Sequence, residues 1–143
     1  MRRMKTKTSS SKGLADEDFR ALAEIRYALR RFTHFSEDAA RSAGLTAQQH
    51  QALLAIRAAP GAVLSIGELA ELLLVQPHTT SELADRLVVL GLVDRQPDDK
   101  DRRVIKLGLT HAAEAALLSL SVAHRDELRR LRPLLSELLA KLN

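Results

Sequence analysis

Gln76, His78, Thr79, Ser81, Glu82 and Arg86 lie close together in the chain, and all can donate or accept hydrogen bonds. Short polar groups of this kind at the start of a helix can read base edges in a DNA groove. Arg86, a turn further on, reaches a base or a phosphate. Pro77 suits a first helical position because its missing N–H is not needed there. The free N–H groups of that first turn, with the positive end of the helix dipole, also attract phosphate. Thr80, Leu83, Ala84, Leu87 and Leu90 share the other side and are expected to pack inward.

A second cluster follows: Arg95, Lys100, Arg102, Arg103 and Lys106, interleaved with Asp98, Asp99 and Asp101. Pro97-Asp98-Asp99-Lys100-Asp101 has turn chemistry between two short apolar strands. A hairpin tip carrying Lys100, Arg102 and Arg103 is shaped to enter a narrow minor groove, where negative potential is enhanced. Asp101, two residues before Arg103, can hold its guanidinium in one direction.

The surrounding elements must position these groups. An amphipathic helix is expected over about 16–41, with Phe19, Leu22, Ile25, Leu29, Phe32 and Phe35 at three- and four-residue spacing. Gly44 ends it. Thr46…Gln49 and Ser65…Glu68 are capping boxes that open two further helices, the second running through about Leu74. Val63 and Leu64 form a very short strand between them. The helix from Pro77 runs to Leu90 and is capped by Gly91. Strands follow over 92–95 and 104–109. Thr110 caps a long helix that Pro133 is expected to break or kink, leaving a final leucine-rich helix. The fold class is mainly α with a small β-hairpin wing: a winged helix-turn-helix, since helices opening at Ser65 and Pro77 have the spacing of that motif. Residues 1–13, basic and Ser/Thr-rich, read as a disordered arm.

Composition agrees. The chain has 143 residues, of which 45% are hydrophobic but only 3% aromatic, so the core must be built from Leu, Ala, Val and Ile, which favours helix on helix. The net charge of +4 suits a polyanionic partner. There is no cysteine, which excludes disulfides, thiol redox sensing and Cys-ligated metal. No apolar run is long enough to span a membrane, and no secretory signal is present, so a cytoplasmic protein is expected. No nucleophile elbow or phosphate-binding Gly loop occurs, so neither catalytic residues nor a cofactor are expected. The five histidines form no ligand-spaced pair, and no metal is expected.

Leu134, Leu135, Leu138, Leu139 and Leu142 are too many for one face of a small monomer. Left exposed they would aggregate, so a partner copy is expected. A two-fold dimer would need a pseudo-palindromic DNA site with half-sites about 34–36 Å apart.

Leu87…Gly91-Leu92-Val93, then Asp101-Arg102-Arg103, then Leu107-Gly108-Leu109-Thr110 leading into a helix, resemble the multiple-antibiotic-resistance regulator (MarR) family. The resemblance covers nearly the whole chain beyond the basic arm. It implies a homodimeric regulator of triangular shape, its interface made by interlocked N- and C-terminal helices. The dimerisation segments would be 14–45 and 110–143, and the DNA-binding domain 46–109. Leu22, Leu131, Leu134, Leu135, Leu138 and Leu142 are the expected interface residues. The resemblance also implies that Asp101 and Arg103 form the Asp-x-Arg of the wing that enters the minor groove. Glu82 departs from the family, which often has a basic or hydroxyl residue there. A Glu is repelled by phosphate but can accept from a cytosine amino group.

In regulators of this kind an effector pocket lies where the first two helices meet the DNA-binding domain. Tyr27, Phe32, His34, Phe35 and His50 would line it and suit a small aromatic or carboxylate effector. The competing and simpler reading is that Phe32 and Phe35 are core and His50 a hydrogen-bonded interior histidine. Two functions compete: a repressor bound to double-stranded DNA and relieved by an effector, or a winged-helix protein–protein interaction module. The wing arginines favour the first.

Overall fold

The computed structural model describes residues 13–142. The chain folds as α1 (Asp16–Ser42), α2 (Ala47–Ala58), β1 (Val63–Ser65), α3 (Ile66–Leu73), α4 (Pro77–Val89), β2 (Val93–Pro97), β3 (Ile105–Leu109) and α5 (His111–Ala140). The described residues divide into two compact units, one His34–Asp126 and the other reaching up to Thr33 and resuming at Glu127. Both long helices cross that division. No helix among the described residues is long and apolar enough to cross a membrane.

The unit His34–Asp126 is held by one apolar cluster. Leu53 and Ile56 of α2, Leu69 of α3, Leu87 of α4 and Leu107 of β3 are all fully buried in it. The helices around it start where local chemistry dictates. Thr46 and Ser65 close the two expected capping boxes, each accepting from the N–H three residues on, while Gln49 and Glu68 reach back. Each box satisfies two N–H groups that the helix leaves orphaned. Gly44 and Gly91 take left-handed backbone just after α1 and α4 (φ 78° and 72°), where a Cβ would be strained. Leu74 takes the same left-handed conformation (φ 56°) in the turn from α3 to α4.

β1, β3 and β2 form an antiparallel sheet in that order. Leu64 pairs with Leu107, and Arg95 pairs with Leu107 from the other side. The strand before α3 is thus a full member of the wing sheet. Thr110 joins sheet to helix: its hydroxyl donates to the Gly91 carbonyl at 2.7 Å and accepts from the Ala113 N–H at 3.3 Å.

The other unit consists of the N-terminal part of α1 and the C-terminal part of α5. Ala21, Ala28 and Leu138 are its buried residues. Phe19, Leu22 and Leu29 of the expected apolar stripe are instead 58%, 42% and 48% exposed. Ile25, Phe32 and Phe35 of that stripe are half-buried, on the line of α1 that also buries Ala21 and Ala28. Pro133 does not break the helix, because α5 is a single helix to Ala140 with Pro133 inside it. Proline removes one N–H and leaves the Arg129 carbonyl without its helical donor. Both residues are exposed, so water can take that bond.

Candidate nucleic-acid interface

α4 buries Thr80, Leu83, Ala84 and Leu87. Leu90, expected on the same inward stripe, is 51% exposed, because the helix ends at Val89 and the chain turns away there. Gln76 is the N-cap and Pro77 the first helical residue. The Thr80 hydroxyl donates to the Gln76 carbonyl at 3.0 Å and fixes the first turn from inside. Gln76, His78, Glu82 and Arg86 are exposed, while Thr79 and Ser81 are half-buried at the edges of the helix. The sequence-derived set therefore lies on one element, with His78, Glu82 and Arg86 at its centre.

The wing tip is built by two aspartates. The Asp98 carboxylate accepts from the N–H groups of Lys100 and Asp101, at 3.3 and 3.1 Å, and so shapes the turn. Asp101 then holds Arg103. Its Oδ1 accepts from the Arg103 backbone N–H and Nε, each at 3.1 Å, and its Oδ2 from Nη2 at 3.3 Å. Those Arg103 hydrogen bonds hold the Asp101 carboxyl below the usual carboxylate range. The Arg103 side chain is nonetheless 91% exposed. A cation aimed outward by a fork-shaped hydrogen-bonded pair is ready to meet an anion without first being ordered. Lys100 and Arg102 are exposed beside it.

Two ion pairs tie wing to helices, and neither was visible in the sequence. Arg95 of β2 pairs with Asp85 of α4. Lys106 of β3 donates to Glu68 of α3 at 2.6 Å. Lys106 first, and Ser65 after it, lowers the Glu68 carboxyl to about 2, so the pair stays charged at any ordinary pH. Glu68 thus serves both the α3 capping box and the wing.

The five residues expected around an effector are not brought to one place. Tyr27 and Phe32 line a cavity of about 280 Å³ with Arg31 and Leu134, where the Arg31 guanidinium lies 5.9 Å from the Tyr27 ring centre. Phe35 and His50 instead meet His124 of α5, with ring centres 5.4 Å and 4.7 Å from it. His34 is on the surface beside Asp38. The reading of His50 as a hydrogen-bonded histidine is corrected: it is 3% exposed, yet neither ring nitrogen meets a hydrogen-bonding partner. Burial, and then His124, push its pKa below the ordinary 6.5. His124 has partners in the Leu120 carbonyl and the Ser36 hydroxyl, at 2.6 and 2.7 Å. Its place could have been read from the spacing of Ala113, Leu117, Leu120 and His124 along α5, all buried. Of the expected interface leucines, Leu22 and Leu134 are exposed, Leu131, Leu135 and Leu142 half-buried, and Leu138 buried within its own chain. Among the described residues no cluster of His, Asp or Glu could hold a metal.

A helix-turn-helix from α3 to α4, a three-stranded sheet and an arginine-tipped loop define a winged helix-turn-helix protein. Residues 43–104 match the model of the MarR family, and solved structures of MarR family regulators share the fold. A MarR family transcriptional regulator from Silicibacter pomeroyi is 26% identical, over 80% of this chain and 76% of that one, with a TM-score of 0.66. Wild-type MarR from E. coli in its apo form is 25% identical, over 82% of this chain and 95% of that one, with a TM-score of 0.62. A MarR family protein from Bacillus stearothermophilus shares the fold, at 21% identity over 83% and 82% of the two chains and a TM-score of 0.71. No curated protein matches the chain.

Proposed function

We propose that the protein is a sequence-specific, double-stranded-DNA-binding transcriptional regulator, a homodimeric repressor that a small effector relieves. The observation that carries this is the wing tip: Arg103 is oriented by three hydrogen bonds to Asp101 and still offered to solvent. α4 supplies the recognition helix through Gln76, His78, Thr79, Ser81, Glu82 and Arg86. Lys100, Asp101, Arg102 and Arg103 supply the wing.

Dimerisation through the segments 14–45 and 110–143 is supported by apolar residues that one chain leaves exposed, among them Phe19, Leu22, Leu134 and Leu139. The cavity beside Tyr27 and Phe32, with Arg31 at its wall, supports an aromatic or carboxylate effector. Such an effector would act by binding one arrangement of the dimer better than another.

The test is selection from a random-sequence duplex pool at two salt concentrations. A recovered pseudo-palindrome, with affinity falling steeply as salt rises, is the expected result. No enriched site and no salt dependence would overturn the proposal in favour of a protein-interaction module.

A further inference from the structure

The buried line of α4 runs through Thr80, Leu83, Ala84 and Leu87. At 3.6 residues per turn, the opposite line runs through His78, Glu82, Asp85 and Arg86. It carries two carboxylates with different surroundings. Asp85 is paired with Arg95 and belongs to the link between α4 and the wing. Glu82 is exposed, and among the described residues its carboxylate has neither a hydrogen bond nor an ion pair. Arg86, one turn on, is exposed and equally unpaired.

A free carboxylate at the centre of a face that approaches DNA is repelled by the phosphates. It gains only where it meets a donor. In the major groove the donors are the amino groups of cytosine and adenine. Adenine sets the N7 acceptor beside its amino group, which suits an amide and repels a carboxylate. Cytosine offers its amino group without that neighbour. We propose that Glu82 is the specificity-determining residue of this helix and reads a cytosine amino group in each operator half-site. The assignment rests on α4 being the recognition helix. Arg86 has the fork that matches guanine O6 and N7, so it favours guanine at a neighbouring position. Glu82 also works against wrong sequences: beside guanine or thymine its charge is desolvated with nothing to accept from, and beside adenine it meets the N7 acceptor.

The test is the same duplex selection, run with the full chain and with Glu82→Gln and Glu82→Ala. Glu82 is exposed, so neither change disturbs the core. The wild type is expected to select a G·C pair at one position per half-site by roughly ten-fold over other pairs. Glu82→Gln should move that preference to adenine, which an amide reads at N6 and N7. Glu82→Ala should flatten it while strengthening binding to unselected duplex. Salt-sensitive binding by all three proteins with one unchanged base preference would overturn the Glu82 assignment and leave the proposed function standing. A wild type that shows no salt-sensitive DNA binding would overturn the proposed function, and this assignment with it.

Discussion

The two units of the chain are built on different terms. His34–Asp126 closes around its own core, with Leu53, Ile56, Leu69, Leu87 and Leu107 at 0% exposure. The unit formed by the two ends of the described chain buries only Ala21, Ala28 and Leu138 as hydrophobics, and exposes Phe19, Leu22, Leu29, Leu128, Leu134 and Leu139. The first has the interior of a self-sufficient domain. The second has the surface of an unfinished one, which a second copy would complete. The core that holds the fold and the surface proposed for association therefore lie in different stretches of the chain.

The sharpest way to break that contrast is to cut each unit in turn. Leu87→Ala, at a fully buried position, should destabilise the winged unit by about 2–5 kcal/mol in urea unfolding. Leu134→Asp, at a position 43% exposed, should leave the far-UV circular dichroism intact but shift the mass in sedimentation velocity from dimer to monomer. A dimeric Leu134→Asp protein at low micromolar concentration would count against the interface. Leu138→Asp is a poorer probe, because Leu138 is 1% exposed within its own chain and its loss would damage the fold first.

A smaller effect is expected at the wing. Arg103→Ala should weaken operator binding several-fold or more while leaving dimer and melting temperature unchanged, since the side chain is 91% exposed. Unchanged affinity would remove the wing from the binding surface.

His50 tests whether the winged core is as settled as it looks. A neutral imidazole is buried there without partners, and its folded pKa lies below the ordinary 6.5. As pH falls below 6.5 the unfolded chain takes up a proton that the folded chain resists, so stability is full above that value and declines below it. Among the described residues, His124 is the titratable neighbour that acts on it. Urea midpoints at pH 7.5 and 5.5 should therefore differ more for the wild type than for His50→Phe. His50→Phe should also gain about 1 kcal/mol by removing unsatisfied nitrogens. Equal pH sensitivity in the two proteins would show that the proton goes elsewhere. The least effect is expected at Leu74, 93% exposed with φ 56°. Leu74→Gly should raise stability by roughly 0.5–1 kcal/mol, readable as a shift in thermal midpoint.

What could be read in the sequence was local. The capping boxes at Thr46 and Ser65, Pro77 at the head of α4, the glycine caps and the Asp98–Arg103 turn each depend on residues within a few positions of one another, and each formed as expected. Spacing also showed that α1 has an apolar stripe, but not how it divides: Ile25, Phe32 and Phe35 are half-buried on the line of Ala21 and Ala28, while Phe19, Leu22 and Leu29 stay exposed. The expected break at Pro133 does not occur, because a helix tolerates a missing N–H where solvent can reach the orphaned carbonyl. The Glu68–Lys106 pair and the His50–His124 contact join residues far apart in the chain, and no local pattern announces them. The α4 face was legible, but the difference between its two carboxylates appears only once Arg95 is seen to claim Asp85.

Those cross-links have one more consequence. Arg95 fastens β2 to α4, and Lys106 fastens β3 to α3, so the sheet is bolted at two points to the helices beside it. A protein gripping a duplex through both parts would work like a caliper with its jaws locked. The distance between what the helix touches and what the loop touches is then a property of the protein. A duplex with an extra base pair between those contacts could be accommodated only by distorting the DNA itself.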